Sequence, residues 1–229
     1  MLRVAFAMVR TPLAWAITAP RAAFRRAGGS MARAGHSAEH AKFDTRKWTP
    51  ALLKHLEWRR FEELCAAYFE ALGFTTRIPP PRASGNVDII LCAEGSDRAA
   101  ILARCEPWNA YRVGIKPVRE LRAAMTSAGV TEGALLSASS FTPEAVNFAT
   151  KEKIDLVDGA ALLAKLEGLA PEKSLALLKF TTQGDFLTPT CPACAIKMTS
   201  RKSTQGGRKF WGCINYPRCK QTFTGTIPA

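Results

Sequence analysis

The sequence predicts an α/β protein in which helices flank a mixed β-sheet, followed by a small C-terminal module. Three observations support this fold class. Helical and strand-like patterns alternate between residues 51 and 168, four cysteines form two pairs near the C-terminus, and charge is distributed unevenly along the 229-residue chain. A chain of this length accommodates one domain of about 120 residues together with one small module.

The first predicted helix lies within residues 51–73. Its apolar residues recur at intervals of three and four, which is the spacing of one face of an amphipathic helix. This face carries Trp58, Phe61, Leu64, Cys65, Tyr68, Phe69 and Leu72. Gly73 marks the expected end of the helix, because glycine commonly follows a last helical turn.

Shorter elements follow in an order typical of a mixed sheet. Strand patterns occupy residues 75–78, 87–92, 99–105 and 133–138 and the segment IDLVD. A second helix begins near Pro117, and a third has Thr142 as its N-cap and Pro143 at its first helical position. A last helix is predicted in GAALLAKLEGL. The order αβββαβ, continued by αβα, predicts a mixed sheet between layers of helices.

The four C-terminal cysteines have the spacing C-x2-C-x18-C-x5-C, at Cys191, Cys194, Cys213 and Cys219. Each pair can come from one tight turn, so that four thiolates surround a Zn²⁺ ion at about 2.3 Å. Four sulfur ligands leave no open position, and the metal is therefore expected to be structural. The alternative is two disulfides in a secreted module, but no cleavable signal peptide is evident and three further cysteines lie in apolar surroundings.

The segment CPACAIKMTSRKSTQGGRKFWGCINYPRCKQTF resembles the C-terminal zinc ribbons of type IA DNA topoisomerases. Their pattern is CPxCG, a basic stretch and then F-x-GCxxYPxC, and FWGCINYPRC matches its second half. The chain departs from the pattern at Ala195, where the family usually has glycine. The resemblance implies single-stranded or distorted DNA as the ligand.

The residues of this ribbon agree with a DNA ligand on physical grounds. From Phe186 onward the chain has Lys and Arg but no acid, and aromatic residues are interleaved with the cations. Cations neutralise phosphates, and unpaired bases stack on rings. The expected DNA contacts here are Arg201, Lys202, Arg208, Lys209, Trp211, Tyr216, Arg218 and Lys220.

Net charge separates the chain into three parts. Of the total charge of +13, residues 1–50 and residues 186–229 each carry +7, which leaves the middle near neutral. Two cationic ends around a neutral body favour a polyanionic partner, since each neutralised phosphate releases counterions. Solubility is the alternative, but ends of a single sign exceed what solubility needs.

These features predict four regions. The first region, residues 1–45, is basic and expected to be disordered. Its alternatives are an organellar targeting peptide, an interfacial helix or a translated region upstream of Met31. Its apolar runs are too short to span a bilayer. Residues 46–168 form the α/β domain, 169–188 a linker in which SLALLKF could dock on that domain, and 189–229 the ribbon.

Residues 56–168 resemble the catalytic domain of Mrr-type (type IV) restriction endonucleases, a branch of the PD-(D/E)xK nucleases. The resemblance is carried by FEELCAAYFEALGF, SGNVDIIL, ILARCEPW, VGIKPVREL and DLVDG in this order. It implies a restriction-endonuclease-like fold and a Mg²⁺ ion held by acids at the ends of two paired strands, with a helix glutamate and a lysine nearby.

Two acids match this family pattern. Glu62 corresponds to the helix glutamate, and at about 100° per residue it lies roughly 20° from Phe69, at the edge of the apolar face, whereas Glu63 points to solvent. Asp88 matches the aspartate of G-x-V-D, and an acid between Val87 and Ile89 is costly without a cation. The alternative for Asp88 is an outward polar residue of a half-buried strand.

The third position departs from the family. Where Mrr-type enzymes usually have Q-x-K, this chain has Arg104 and Glu106, so the catalytic lysine is absent from its expected place. Glu106 could hold Mg²⁺ with Asp88 and act as a ligand or base, with Arg104 facing a phosphate. Alternatively the site has decayed to a DNA-binding shell with an Arg104–Glu106 ion pair. Lys116 is a nearby cation that we also count as a candidate DNA contact.

Two function classes remain open at this stage. One is a Mg²⁺-dependent DNA endonuclease with catalytic Glu62, Asp88 and Glu106, whose zinc ribbon adds DNA affinity. The other is a non-catalytic DNA-binding protein on the same fold, and an RNA-processing role is a weaker third. We expect double- or single-stranded DNA as the partner, no small-molecule cofactor, no membrane partner and a cytoplasmic, nucleoid-associated location.

Overall fold

A computed structural model of the chain describes residues 44–79, 87–106, 112–203 and 207–223. The expectations for residues 1–43 lie outside these ranges. Within them, no helix is long and apolar enough to cross a membrane. The helices are α1 (Pro50–His55), α2 (Trp58–Ala71), α3 (Ile115–Ala128), α4 (Pro143–Lys151), α5 (Gly159–Glu167) and α6 (Pro171–Thr182). The strands are β1 (Thr75–Arg77), β2 (Ile89–Cys92), β3 (Ala99–Glu106), β4 (Glu132–Ser137), β5 (Ile154–Val157), β6 (Thr199–Lys202), β7 (Lys209–Gly212) and β8 (Thr222–Phe223).

The main sheet has the order β1-β2-β3-β4-β5. Strands β1, β2 and β3 pair antiparallel, whereas β3, β4 and β5 pair parallel. Parallel neighbours need a crossover, and α3 and α4 supply the two crossovers. This arrangement confirms the predicted α/β class with a mixed sheet flanked by helices.

The prediction of one helix across residues 51–73 is wrong at its start. The backbone leaves the helical region at Leu56 (ψ 133°) and Glu57 (ψ 152°), so that α1 and α2 are separate helices. Glu57 is the N-cap of α2, and its side chain accepts a hydrogen bond from the backbone N–H of Arg59. A cap satisfies an N–H group that has no partner within the helix.

Two apolar clusters cover the two faces of the sheet. The first contains Phe61 of α2 together with Ala103 and Cys105 of β3, and the second contains Leu102 of β3 and Leu121 of α3. Because side chains alternate along a strand, Arg104 and Glu106 lie on the same side as Leu102, against α3.

The segment expected to act as a linker contains helix α6. Its Leu177 and Leu178 are buried in the first cluster, and Phe186 after the helix is fully buried there. The segment therefore packs on the α/β domain. This is the docking of SLALLKF that the sequence analysis gave as a possibility.

The C-terminal residues form a separate three-stranded antiparallel sheet with the order β6-β7-β8. Its small core consists of Cys191, Met198, Trp211 and Cys213. So few buried residues do not hold a sheet together without further support, which is the usual role of a bound metal in such modules.

Candidate functional site

Three acids lie near the paired ends of β2 and β3. Asp88 precedes β2 directly, its N–H donates to the carbonyl of Ala103 at 3.0 Å, and its Oδ2 accepts from the N–H of Cys105 at 2.7 Å. Because Ile89 is paired with Ala103, Asp88 comes opposite Arg104 on the neighbouring strand. The fold thus brings Asp88 next to the Arg104–Glu106 pair.

Glu62 approaches this region from α2. It is only 7% exposed, and its Oε2 pairs with Nη1 of Arg59 at 3.2 Å. Burial raises the pKa of Glu62 to about 8, the charge of Asp88 adds to this effect, and Arg59 opposes it. Burial also raises the pKa of Asp88, although the N–H of Cys105 and the charges of Arg104 and Arg59 act in the other direction.

Arg104 connects β3 to α3. Its Nε donates to Glu106 Oε1 at 2.9 Å, its Nη1 donates to Glu120 Oε2 at 2.7 Å, and its side chain is only 16% exposed. Burial raises the pKa of Glu106, and Arg104 partly offsets this rise. Sequence reasoning did not identify Glu120. The sequence signal that could have identified Glu120 is its place four residues after Lys116 on one helix, a spacing that favours an ion pair. In the structure Lys116 Nζ lies 3.9 Å from Glu120 Oε1.

The acids of this region are candidate ligands for Mg²⁺. Carboxylate oxygens are suitable donors for Mg²⁺. However, among the described residues the four cysteines are the one group of three or more potential ligands that lies close enough to share an ion. Glu106 is bonded to Arg104, so a Mg²⁺ ion held between Asp88 and Glu106 would have to displace this ion pair.

The four cysteines fit Zn²⁺ well. Their sulfur atoms all lie within 4.8 Å of one another, and Cys191 Sγ is 3.7 Å from Cys219 Sγ. Tetrahedral coordination at about 2.3 Å requires sulfurs about 3.75 Å apart. All four are free thiols rather than disulfides. The four predicted cysteines therefore form a cluster whose geometry suits a structural zinc ion.

Ala195 explains the family's preference for glycine at its position. Its N–H closes the first cysteine turn on the carbonyl of Cys191 at 2.8 Å, and its φ is 55°. This left-handed conformation is costly for a residue with a Cβ atom and easy for glycine.

The two rings proposed to contact bases occupy different environments. Tyr216 is 60% exposed, and the guanidinium of Arg201 lies 5.5 Å from its ring centroid. Trp211 is 7% exposed and packs in the ribbon core, so its predicted base contact does not agree with its position. The exposed cations around Tyr216 and along the ribbon strands are Lys202, Arg208, Lys209, Arg218 and Lys220.

Known families account for most of the described chain. The family model described as restriction endonuclease (Mrr_cat) matches residues 53–166, and the model described as topoisomerase DNA binding C4 zinc finger matches residues 188–224. A relative from Sinorhizobium fredii (strain NBRC 101917 / NGR234), described as uncharacterized protein y4cE, is 32% identical over 99 residues. This match covers 42% of the present chain and 25% of the relative, so the chain spans only about a quarter of that protein.

Solved structures with a related arrangement include two restriction endonucleases. The DNA modification-dependent enzyme AspBHI is 21% identical, with a TM-score of 0.43 over 60% of this chain and 41% of its own. MspJI, solved in complex with a 27-mer oligonucleotide, is 17% identical, with a TM-score of 0.39 over 60% and 33%. The protein of unknown function AF1548 is 20% identical, with a TM-score of 0.40 over 50% and 69%. On the two family matches and the cysteine site, the chain combines a domain of the Mrr-type restriction endonuclease family with a topoisomerase-type C4 zinc ribbon.

Proposed function

We propose that this protein binds DNA through both modules and that its natural sequence does not cleave the DNA. In this proposal the nuclease fold serves as a binding scaffold, and the ribbon supplies cations and one accessible aromatic ring. The proposed boundaries remain 46–168 for the nuclease-like domain and 189–229 for the ribbon, joined by 169–188. A DNA partner also supports the expected cytoplasmic, nucleoid-associated location.

The observation that carries the proposal is the pair of bonds from Arg104 to Glu106 and Glu120. The position of the family's catalytic lysine is occupied by Glu106, whose carboxylate accepts a hydrogen bond from Arg104, so no lysine stands there to activate water. The charge of Arg104 is also committed to the carboxylates that would otherwise attract a divalent cation. Both effects argue against phosphodiester hydrolysis at this position.

The DNA partner is supported by the ribbon. Its exposed cations suit the phosphate backbone, and an exposed tyrosine next to a cationic side chain suits an unpaired base. This favours single-stranded or distorted DNA for the ribbon, while the nuclease-like domain can accept a duplex. Lys116, on the first turn of α3, is exposed and lies 3.9 Å from Glu120, an ion pair long enough for its side chain to turn toward a phosphate near the acidic site.

Metal-dependent cleavage is the second candidate, and one observation favours it. Glu62, Asp88 and Glu106 are all substantially buried, and burial raises the pKa of each. Such a cluster is typical of active sites, since a bound cation relieves the cost of burying the charges. Metal-dependent cleavage requires the ion pair between Arg104 and Glu106 to break.

Nicking of supercoiled plasmid separates the candidates. The purified chain is assayed with Mg²⁺, Mn²⁺ or EDTA, beside Asp88→Ala and Glu106→Lys, at protein concentrations that give equal DNA binding. We expect wild type to bind DNA and to nick no more with metal than with EDTA. Metal-dependent nicking that disappears in Asp88→Ala and in Glu106→Lys would establish the enzyme instead.

A double variant adds a positive control. Arg104→Gln with Glu106→Lys restores the family's residues at both positions. If the site is decayed but otherwise sound, this variant gains metal-dependent nicking that wild type lacks.

A further inference from the structure

We propose that Glu57 is a positioning residue that fixes the zinc ribbon on the first turn of α2, so that the ribbon and the nuclease-like domain present one rigid DNA-binding surface. The DNA part of this inference rests on the function proposed above. The fixed attachment itself follows from contacts between residues more than 130 positions apart.

The carboxylate of Glu57 is 2% exposed and accepts four hydrogen bonds. Its Oε2 accepts from the N–H groups of Arg59 at 3.0 Å and Thr190 at 3.2 Å. Its Oε1 accepts from Thr190 Oγ1 at 3.0 Å and from Lys197 Nζ at 3.1 Å. One buried side chain therefore caps α2 and holds the entrance of the ribbon at the same time.

Adjacent contacts strengthen this attachment. Trp58 Nε1 donates to the carbonyl of Thr190 at 2.7 Å, and Lys197 Nζ also donates to the carbonyl of Thr188 at 2.9 Å. The backbone N–H of Glu57 donates to the carbonyl of Phe186 at 2.9 Å. Since Phe186 is fully buried in the first cluster, the chain entering the ribbon is anchored immediately before it.

The ribbon residues that bind Glu57 flank the first cysteine turn. Thr190 and Lys197 form an antiparallel bridge, and Cys191 N–H donates to the carbonyl of Ile196 at 2.8 Å within it. Cysteine ligands that share a metal fix this turn. The order imposed by zinc is thus transmitted through Thr190 and Lys197 to Glu57.

The first turn of α2 also contacts the acidic site. Arg59, whose N–H binds Glu57, pairs through its guanidinium with Glu62 at 3.2 Å. Only a few bonds therefore separate the ribbon from the acidic site. Lys197, a ribbon cation outside the set of expected DNA contacts, serves this internal attachment.

A fixed ribbon binds DNA more tightly than a tethered one, because its contacts are already in position before DNA arrives. Loss of the attachment should weaken DNA binding without removing any DNA contact. This consequence distinguishes a positioning residue from a direct DNA ligand and from a purely structural residue.

The test compares Glu57→Gln with Glu63→Gln in the full zinc-loaded chain. Both substitutions remove one negative charge from α2 or its N-cap, but Glu63 is half-buried and pairs with Arg59 and Arg60 instead of the ribbon. Lys197→Met removes the attachment from the ribbon side and leaves the cap of α2 intact. Zinc content is measured for every variant.

Hydrogen exchange reports the attachment without DNA. In Glu57→Gln and Lys197→Met we expect exchange to accelerate by about tenfold or more both at the start of α2 and at residues 186–190, whereas Glu63→Gln matches wild type. Acceleration confined to the ribbon, or absent, overturns the fixed attachment.

DNA titration measures how the attachment affects DNA affinity. On an oligonucleotide with a duplex and a single-stranded extension, we expect Glu57→Gln and Lys197→Met to bind about tenfold more weakly than Glu63→Gln. Faster exchange with unchanged affinity overturns the positioning role. Wild type that binds no DNA refutes the proposed function, while the exchange experiment still decides whether the ribbon is fixed.

Discussion

Replacing Glu62 with glutamine should change how stability depends on pH. Glutamine keeps the size of the side chain but cannot ionise. Arg59 loses one partner and retains Glu63, whose Oε1 lies 3.6 Å from its Nε. The substitution therefore mainly removes the cost of a carboxylate that is buried beside Asp88.

The size and sign of the effect follow from the pKa of Glu62, which is about 8 in the folded protein against an ordinary value of 4.5. Below the lower value the carboxyl is protonated in both states. As pH rises between the two values, the unfolded chain releases the proton first, so the free energy of unfolding decreases. At 1.36 kcal/mol per pKa unit, the total loss is at most about 5 kcal/mol and is complete above about pH 8.

Urea unfolding at several pH values between about 4.5 and 8.5 measures this effect. We expect the stability of wild type to fall across this window and that of Glu62→Gln to fall less, so that the variant is the more stable protein at the alkaline end. Glu63→Gln is the matched control and should follow wild type. Parallel curves for wild type and Glu62→Gln would refute the account of a buried, destabilised carboxylate. Added Mg²⁺ that stabilises wild type increasingly with pH, but not Glu62→Gln, would support cation binding at these acids.

Three further predictions concern the ribbon. Metal analysis should find one zinc per chain, lost in Cys194→Ser because three thiolates cannot close the site; native protein without zinc would contradict this assignment. Tyr216→Ala should weaken binding to a single-stranded oligonucleotide by about 1–3 kcal/mol with an unchanged salt dependence. Trp211→Ala should instead lower the thermal stability and the zinc retention of the ribbon, because this ring is part of its core. Ala195→Gly should stabilise the zinc-loaded ribbon by up to about 1 kcal/mol in chelator-challenge or melting experiments, since it removes the strain at φ 55°; a less stable variant would show that the turn is not strained.

The parts of this fold that were predictable from sequence depend on local patterns. The run around Ile89 and Leu91 marked β2 because a strand buried on both faces is apolar over several residues. The cysteine spacing fixed the ribbon because two short turns must meet around one ion. Asp88 was identified by its match to the family's G-x-V-D, supported by the cost of an acid in an apolar run, and in the structure the N–H of Cys105 supplies part of the compensation.

Contacts between distant segments were not predictable in this way. The apolar pattern of residues 51–73 continues across the break at Leu56 and Glu57, because both short helices bury the same side against one core. At this break Glu57 accepts hydrogen bonds from Thr190 and Lys197, and periodicity does not encode such contacts. Trp211 and Tyr216 are both aromatic residues among cations, so the sequence does not distinguish them. Only the packing of the ribbon decides which ring is buried.

Relative to the family's Q-x-K, Arg104 adds a positive charge and Glu106 replaces a positive charge by a negative one, which alters the electrostatics of the site as well as its chemistry. In a metal-dependent nuclease, the cation neutralises the acids and allows a phosphate to approach them. Here Arg104 supplies a permanent positive charge between Glu106 and Glu120, and a pKa of about 8 leaves Glu62 largely protonated near neutral pH. The site is therefore less negative than its composition suggests, which would let a DNA backbone lie close to it without a metal ion. Under the function proposed above, such a domain would keep the shape of a nuclease and hold DNA that it does not cut.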